Sequence, residues 1–220
     1  QMRAQENIKT LKAHKFNRIL TYCPHCYHSL KNEYPQLAQE FNNTARILHH
    51  SQFILELIKG GQLKIKGGLN EAVVYHDSCY LGRYNDIYDE PRQVLRSGGA
   101  RLKEMPRRGE RSFCCGAGGG RMWMEERLGK RINQIRAREA MTALGTCGGT
   151  IASACPYCLS MLSDGVKELG AAETALSQEV SPPAVVSLPE RGRGTDSSGA
   201  KTTRVLDIAE VILARLDGNH

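Results

Sequence analysis

The chain has 220 residues, of which 40% are hydrophobic and 24% charged, and its formal net charge is +7. This length allows one large domain or two small ones, and no apolar run approaches the about 20 residues that a membrane-spanning helix needs. Aromatic residues make up only 6% of the chain. A nucleic-acid stacking surface requires aromatic residues interleaved with basic ones, and this sequence lacks that pattern.

We therefore predict no nucleic-acid partner. The basic residues cluster between Arg107 and Arg138, and Arg136 is among them. We interpret this cluster as a solvated helix face, and the sharper alternative is a surface that attracts an acidic redox partner.

The start of the chain lacks the charged, apolar and small-residue sections of a signal peptide. The eight cysteines are therefore interpreted as ligands or reduced thiols rather than as disulfides. Because the chain opens on Gln1 and leads directly into a helical pattern, we expect it to begin inside a longer protein.

The first third of the chain alternates helix and strand patterns around Cys23-Pro24-His25-Cys26. We predict a helix over 3–14, a strand over 18–22, a helix over 27–33 that ends before Pro35, a strand over 45–49 and a helix over 52–59.

The central part carries a lone cysteine and a vicinal pair. We predict a strand over 72–76 that runs into Cys79, a helix over 87–96, a strand over 101–105 and a helix over 122–144. Leu128, Ile132 and Ile135 would form the apolar face of that last helix. Cys114 and Cys115 precede it in a glycine-rich segment.

The last third begins with a predicted strand over 150–153, which runs into Cys155-Pro156-Tyr157-Cys158 and a helix over 159–169. Residues 171–203 are rich in Pro, Gly and Ser and are predicted to be a disordered linker or insertion. An amphipathic helix is predicted over 205–216. The alternation of short strands and helices predicts an α/β fold with parallel sheets.

The spacing of the cysteines points to a metal cluster. Adjacent cysteines do not easily form a disulfide with each other, but both can reach one cluster, and soft sulfur ligands suit iron–sulfur clusters and zinc. Two alternatives stay open. Each Cys-x-x-Cys could exchange thiols and disulfides, or four of the thiols could hold a structural zinc.

Residues beside the cysteines are candidates for contacts with the cofactor. Gly116 and Gly118 let the backbone approach a bulky anionic cluster, and their N–H groups can donate to its sulfurs. His76 either donates a hydrogen bond to a cluster or substrate, or caps the turn at the end of its strand.

Three segments together carry a family resemblance. His76-Asp77-Ser78-Cys79, Phe113-Cys114-Cys115-Gly116 and Ala154-Cys155-Pro156-Tyr157-Cys158 resemble the cysteine-rich CCG domain. That domain occurs in heterodisulfide reductase and in the iron–sulfur subunit of glycolate oxidase. The resemblance covers roughly residues 17–169, and the spacing before Cys155 is slightly longer than is usual in the family.

The resemblance implies two Rossmann-like cysteine-rich lobes, with the first truncated at its N-terminus. Its expected boundaries are 1–68 for the end of the first CCG domain, 69–170 for the second, 171–203 for a linker and 204–217 for a C-terminal helix. Cys23 and Cys26 would be the closing pair of the first domain. The ligands of a [4Fe-4S] cluster, of the non-cubane type, would be Cys79, Cys114, Cys115, Cys155 and Cys158, and zinc is the alternative.

By the same resemblance, the expected function is electron transfer in the iron–sulfur subunit of an oxidoreductase. It would pass electrons between a redox partner, of flavoprotein or ferredoxin type, and a disulfide, quinone or 2-hydroxy-acid-linked site. The expected location is cytoplasmic, at the cytoplasmic face of the plasma membrane if a segment outside this chain anchors it. The alternatives are a thiol–disulfide oxidoreductase and a zinc-stabilised interaction module.

Overall fold

The computed structural model describes residues 2–38, 41, 45–65, 71–126, 129–179 and 203–216. In these ranges eight α-helices and six strands follow one another as α1 (Met2–Lys12), β1 (Arg18–Thr21), α2 (Pro24–His28), α3 (Tyr34–Leu37), β2 (Arg46–His49), α4 (His50–Lys59), β3 (Ala72–His76), α5 (Asp89–Ser97), β4 (Arg101–Lys103), α6 (Ile132–Leu144), β5 (Gly149–Ser153), α7 (Pro156–Glu179), β6 (Thr203–Asp207) and α8 (Ile208–Leu213). The predicted α/β class is confirmed.

The strands form two parallel sheets. β1 pairs with β2, with Arg18 opposite Arg46. The second sheet has the strand order β4-β3-β5-β6, and all of its pairs are parallel. Parallel strands need crossover connections, and helices supply them here, as the alternation in the sequence predicts.

The core lies on both faces of the second sheet. On one face, Val73 and Tyr75 of β3 pack with Leu95 of α5 and with Ile208 and Val211 of α8. On the other, the buried side chains come from β3, β5, α6 and α7, namely Val74, Ile151, Ala140, Leu144 and Leu162. Covering on both faces explains why β3 is buried along its whole length.

The two sheets meet through Tyr27. This side chain follows the first Cys-x-x-Cys and is buried in the same apolar cluster as Val73 and Tyr75. Ile47 of β2 packs against that cluster as well. The first Cys-x-x-Cys is therefore held against the second sheet.

A topological switch point lies between β3 and β5. The chain leaves β3 through α5 on one face of the sheet, whereas α7, which follows β5, covers the other face. Loops that leave neighbouring strands in opposite directions open a crevice at the carboxyl edge, where ligands of open α/β sheets bind. Cys79 follows β3 at this edge, and Cys155 follows β5.

The helix predicted over 122–144 starts later than expected, at Ile132. Before it lies a 3₁₀ segment, Gly118–Trp123, in which Gly119 and Gly120 have φ values of 64° and 76°, and Gly129 is also left-handed. These conformations interrupt a right-handed helix. Residues 127–128, and with them the expected apolar position Leu128, lie outside the described ranges.

Helical structure continues past Pro35, where the predicted helix was expected to end. A π-helical turn, Ser29–Glu33, follows α2, and Pro35 then lies in the first turn of α3. Proline is tolerated there because the first turn does not need its missing N–H.

The C-terminal part also differs from expectation. Helix α7 continues to Glu179, inside the predicted linker 171–203, whose residues 180–202 lie outside the described ranges. Residues 203–207 form β6, and only 208–213 are helical, where one helix over 205–216 was predicted. Residues 203–207 pair instead with β5 at the edge of the sheet, with Val205 opposite Ile151.

Across the described ranges, no helix has both the length and the apolar character needed to span a bilayer.

Candidate metal centre

Three segments bring cysteines to the carboxyl edge of the second sheet. Cys79 lies three residues after β3, and Cys155 and Cys158 lie at the start of α7, directly after β5. Cys114 and Cys115 lie on the long segment between β4 and α6. All three segments leave the same edge because all the strands are parallel.

The five thiols converge in this crevice. Cys115, Cys155 and Cys158 are 5%, 0% and 2% exposed and pack together with Met161. Cys79 and Cys114 are half-buried at the rim. All eight cysteines of the chain carry free thiols.

Shared protons connect the buried thiols. Hydrogen bonds from Cys114 and Cys158, together with one from His76, lower the pKa of the Cys115 thiol well below its usual range despite burial. The same bonds raise the pKa of their donors Cys114 and Cys158. A hydrogen bond from Cys158 lowers the pKa of Cys155 to about 5, against the opposing effect of burial.

Cys79 completes the group from the rim. Burial raises the pKa of its thiol, the neighbouring Cys115 and Cys155 raise it further, and the Arg83 cation opposes them. Thiols this close resist simultaneous ionisation, because each thiolate repels the next. A bound cation removes that repulsion and displaces the shared protons.

His76 and Gly116 contact the thiol group directly. One ring nitrogen of His76 and the sulfurs of Cys115 and Cys158 lie within 4.8 Å of one another. The N–H of Gly116 donates to Cys114 Sγ over 3.3 Å, and its φ of 96° lies in the left-handed region that glycine adopts without strain. Gly118 begins the 3₁₀ segment, with open space where a Cβ would stand.

The loop that carries Cys79 is anchored by a buried ion pair. Asp77 binds Arg92 through both carboxylate oxygens, at 2.6 and 2.9 Å, and accepts the N–H of Gly109 at 2.8 Å. The hydroxyl of Ser112 donates to the carbonyl of Asp77. The segment before Cys114 is thereby fixed to the end of β3.

Cys23 and Cys26 interact with each other and with His25 rather than as part of a five-thiol set. His25 Nδ1 lies 3.9 Å from Cys23 Sγ, and the same side chain forms a hydrogen bond with Cys155. His25 also packs against Tyr80, with ring centroids 4.0 Å apart. It is thus the contact between the first Cys-x-x-Cys and the five thiols.

The sequence interpretation of Arg136 was wrong. Arg136 was assigned to a solvated face, but its side chain is 0% exposed and donates a hydrogen bond to His76. The buried face of α6 comprises Asn133, Arg136, Ala137, Ala140 and Leu144, whereas the predicted face residue Ile135 is exposed. The helical spacing of Asn133, Ala137 and Ala140, four and then three positions apart, is the signal that could have located this face.

The donor set fits an iron–sulfur cluster. It consists of five soft sulfur donors in a mostly buried crevice, with the N–H of Gly116 and the ring of His76 beside it. Thiolates are the usual ligands of such clusters, and N–H groups beside the sulfurs adjust their potential. A tetrahedral zinc site takes four ligands, which leaves one of the five thiols without a role.

Comparison with protein families supports the same chemistry. The family model of the cysteine-rich CCG domain matches residues 1–31 and 73–163. The two matched ranges contain both Cys-x-x-Cys motifs, the lone cysteine and the vicinal pair.

Three relatives are each much longer than this chain. A probable iron–sulfur-binding oxidoreductase, FadF of Bacillus subtilis, is 43% identical over 80% of the chain and 24% of its own length. An EtfAB:quinone oxidoreductase of Syntrophomonas wolfei is 38% identical over 79% and 24%. One of the subunits of the dihydromethanophenazine:CoB–CoM heterodisulfide reductase of Methanosarcina acetivorans is 34% identical over 76% and 40%. The chain therefore spans about a quarter of the first two.

Proposed function

We propose, on the premise that this chain belongs to the cysteine-rich CCG domain family, that it holds an iron–sulfur cluster and transfers electrons within a larger oxidoreductase. The convergence of five cysteines from three segments on one crevice carries the proposal. The names of the relatives, which are iron–sulfur-binding and quinone- or heterodisulfide-linked oxidoreductases, support it.

The proposed ligands are Cys79, Cys114, Cys115, Cys155 and Cys158. When bound, an iron–sulfur cluster supplies one-electron transfer. The protein around the cluster controls the surroundings of its sulfur ligands. Burial keeps water from Cys115, Cys155 and Cys158, and the N–H of Gly116 donates a hydrogen bond to Cys114. Five thiols, one more than a cubane [4Fe-4S] cluster requires, favour the non-cubane form.

The proposed electron route enters or leaves beside His25. This ring contacts Cys155 on one side and Cys23 on the other, and its neighbours Tyr80 and Tyr157 are packed against it. A second redox centre held with the help of Cys23 and Cys26 would therefore be only one side chain from the five thiols. The proposed partners are flavoprotein or ferredoxin-type units, and the proposed acceptor is a disulfide, a quinone or a 2-hydroxy-acid-linked site.

The predicted domain boundaries, 1–68 and 69–170, stay proposals, as does the cytoplasmic location at a membrane face. The two separate parallel sheets support the division. The free state of all eight cysteines supports a reducing compartment.

At the first pair, thiol–disulfide exchange would have to begin at Cys26 rather than at Cys23. Exchange requires a thiolate, but burial raises the pKa of Cys23 to about 11, although hydrogen bonds from the backbone of Cys26 and His25 oppose this rise. Cys23 is therefore protonated near neutral pH. Cys26 is exposed and lines a cavity of about 540 Å³, so it remains the only member of the pair with direct access to solvent.

Metal analysis of the anaerobically purified chain tests the proposal. Iron and acid-labile sulfide, visible absorption and a paramagnetic signal after reduction are the expected results. Zinc without sulfide would support the interaction module instead. Neither metal, together with a reversible Cys23–Cys26 disulfide, would support thiol exchange.

A further inference from the structure

A buried row of hydrogen bonds leads from α6 to the thiol group. Arg136 Nε donates to His76 Nδ1 over 3.0 Å. Its Nη1 donates to Glu139 Oε2 and to the carbonyl oxygen of Arg107, both over 2.9 Å. With two of its nitrogens fixed by separate acceptors, the guanidinium is held in one orientation.

Glu139 and Arg107 hold this row in place from the other side. The carboxylate of Glu139 also binds the side chain and the N–H of Arg107 at 2.7 to 3.0 Å. The Arg107 guanidinium lies 3.8 Å from the ring centre of Phe113, which directly precedes Cys114. The same group of contacts therefore fixes both Arg136 and the segment that carries the vicinal cysteines.

The Arg136–His76 bond decides which ring nitrogen carries the proton. A guanidinium has only donors, so His76 Nδ1 must be the acceptor. The proton of the neutral ring then lies on Nε2, because one nitrogen donates when the other accepts. The nitrogen that Arg136 does not bind is consequently a donor, and the ring that carries it lies beside the sulfurs of Cys115 and Cys158.

A metal-ligating histidine needs the opposite arrangement. Its coordinating nitrogen offers a lone pair, and its other nitrogen donates a proton to an acceptor such as a carboxylate or carbonyl. Arg136 offers no acceptor at Nδ1. The geometry thus disfavours His76 as a ligand, although its ring lies within 4.8 Å of Cys115 and Cys158 sulfur.

We propose that Arg136 is a positioning residue that holds His76 as an Nε2–H donor to Cys115 and thereby raises the reduction potential of the bound cluster. The proposal rests on the proposed function, since it requires Cys115 to be a cluster ligand. A hydrogen bond to a cluster sulfur stabilises the more negative, reduced state. The buried Arg136 cation acts in the same direction.

Redox titration of the anaerobically purified chain, with reduction by dithionite and detection by paramagnetic resonance, measures the effect. We expect Arg136→Met to lower the equilibrium constant for reduction at least tenfold, which is about 59 mV for one electron. Arg138→Met is the matched control, because Arg138 lies on the same helix with an exposed side chain. The control is expected to leave the potential unchanged.

Two His76 variants keep the test decisive if Arg136→Met does not fold. His76→Phe retains a ring but no donor and is expected to lower the potential as Arg136→Met does. His76→Gln retains an N–H donor. Its reduction potential is expected to stay much closer to the unaltered value than that of His76→Phe, which a purely structural role for His76 would not produce. In the double variant, adding Arg136→Met to His76→Phe is expected to lower the reduction potential by less than Arg136→Met does alone.

Pulsed paramagnetic resonance of the reduced protein distinguishes donor from ligand. Only the weak nitrogen coupling of a hydrogen-bonded ring is expected, and the strong coupling of a coordinated nitrogen would overturn the proposal. An unchanged potential in both Arg136→Met and His76→Phe, in a protein that contains its iron and sulfide, would also overturn it and leave the proposed function intact. A preparation without iron and sulfide would contradict the proposed function, and this proposal with it.

Discussion

The backbone of Gly165 in α7 lies directly against the backbone of Asn133 in α6. A Cβ at Gly165 would stand 2.8 Å from the Asn133 carbonyl oxygen and 3.0 Å from Ala137 Cβ. Helix α6 carries Arg136, and α7 begins with the second Cys-x-x-Cys, so this close crossing sets the distance between two parts of the thiol site.

Gly165→Ala should therefore destabilise the protein. The added methyl group cannot fit without separating the two helices, and overpacking of this kind costs about 1–3 kcal/mol. Denaturant unfolding measures the change. Gly170→Ala in the same helix is the control, because a Cβ there meets nothing within 4 Å and alanine favours the helical state. Equal effects of the two substitutions would contradict the close crossing.

Asp77→Asn should weaken both the fold and the metal site. Asp77 is 4% exposed and binds Arg92 through both oxygens. Arg92 keeps a second carboxylate partner, so we expect a cost of about 1–3 kcal/mol, as for the loss of a buried hydrogen-bonding partner. Because the loop to Cys79 begins at Asp77, iron content should fall as well. Glu56→Gln breaks the exposed pair with Arg46 and should cost about 1 kcal/mol at most. Similar losses in the two variants would count against the anchoring role.

Cys115→Ser should remove or alter the cluster. Cys115 accepts hydrogen bonds from two other thiols and from His76, so it lies at the centre of the donor set. Iron and sulfide per chain and the visible spectrum are the measurements. Cys147→Ser is the matched control, because Cys147 is exposed and should keep the full cluster. A Cys115→Ser protein with the wild-type spectrum would remove Cys115 from the ligand set.

His49 should make the fold less stable as the pH falls. Burial and the neighbouring His50 lower its pKa from 6.5 to about 3. Between these values the unfolded chain binds a proton that the folded protein does not bind. The stability contributed by the neutral ring is therefore complete above pH 6.5 and is lost toward pH 3, by up to about 1.4 kcal/mol per pH unit.

His49→Asn tests this dependence. Asparagine is a good N-cap, as His49 is for α4, but it does not titrate. The slope of unfolding free energy against pH, measured between about pH 5 and 6.5, should be smaller in the variant. The exposed His14 provides the control, since His14→Asn should leave the slope unchanged. An identical slope in all three proteins would contradict a depressed pKa at His49.

The C-terminal strand shows where local pattern was insufficient. Residues 203–207, with Val205 and Leu206 as their apolar members, are too few for periodicity to distinguish a helix from a strand. The segment is a strand because the open edge of β5 supplies hydrogen-bond partners for the backbone groups of residues 203–207. Within 122–144, Gly129 was visible in the sequence, but the left-handed conformation that precedes the start of α6 was not.

Strand–helix alternation along the chain was enough to establish the α/β class and to place each cysteine motif after a strand. Alternation implies parallel strands, and parallel strands bring the motifs that follow them to one edge. The burial of Arg136 against His76 and the contact of His25 with Cys155 became visible only in the folded protein. The reason is that a charged or polar side chain is buried only where distant segments supply its partners, and Arg136 and His76 are 60 residues apart.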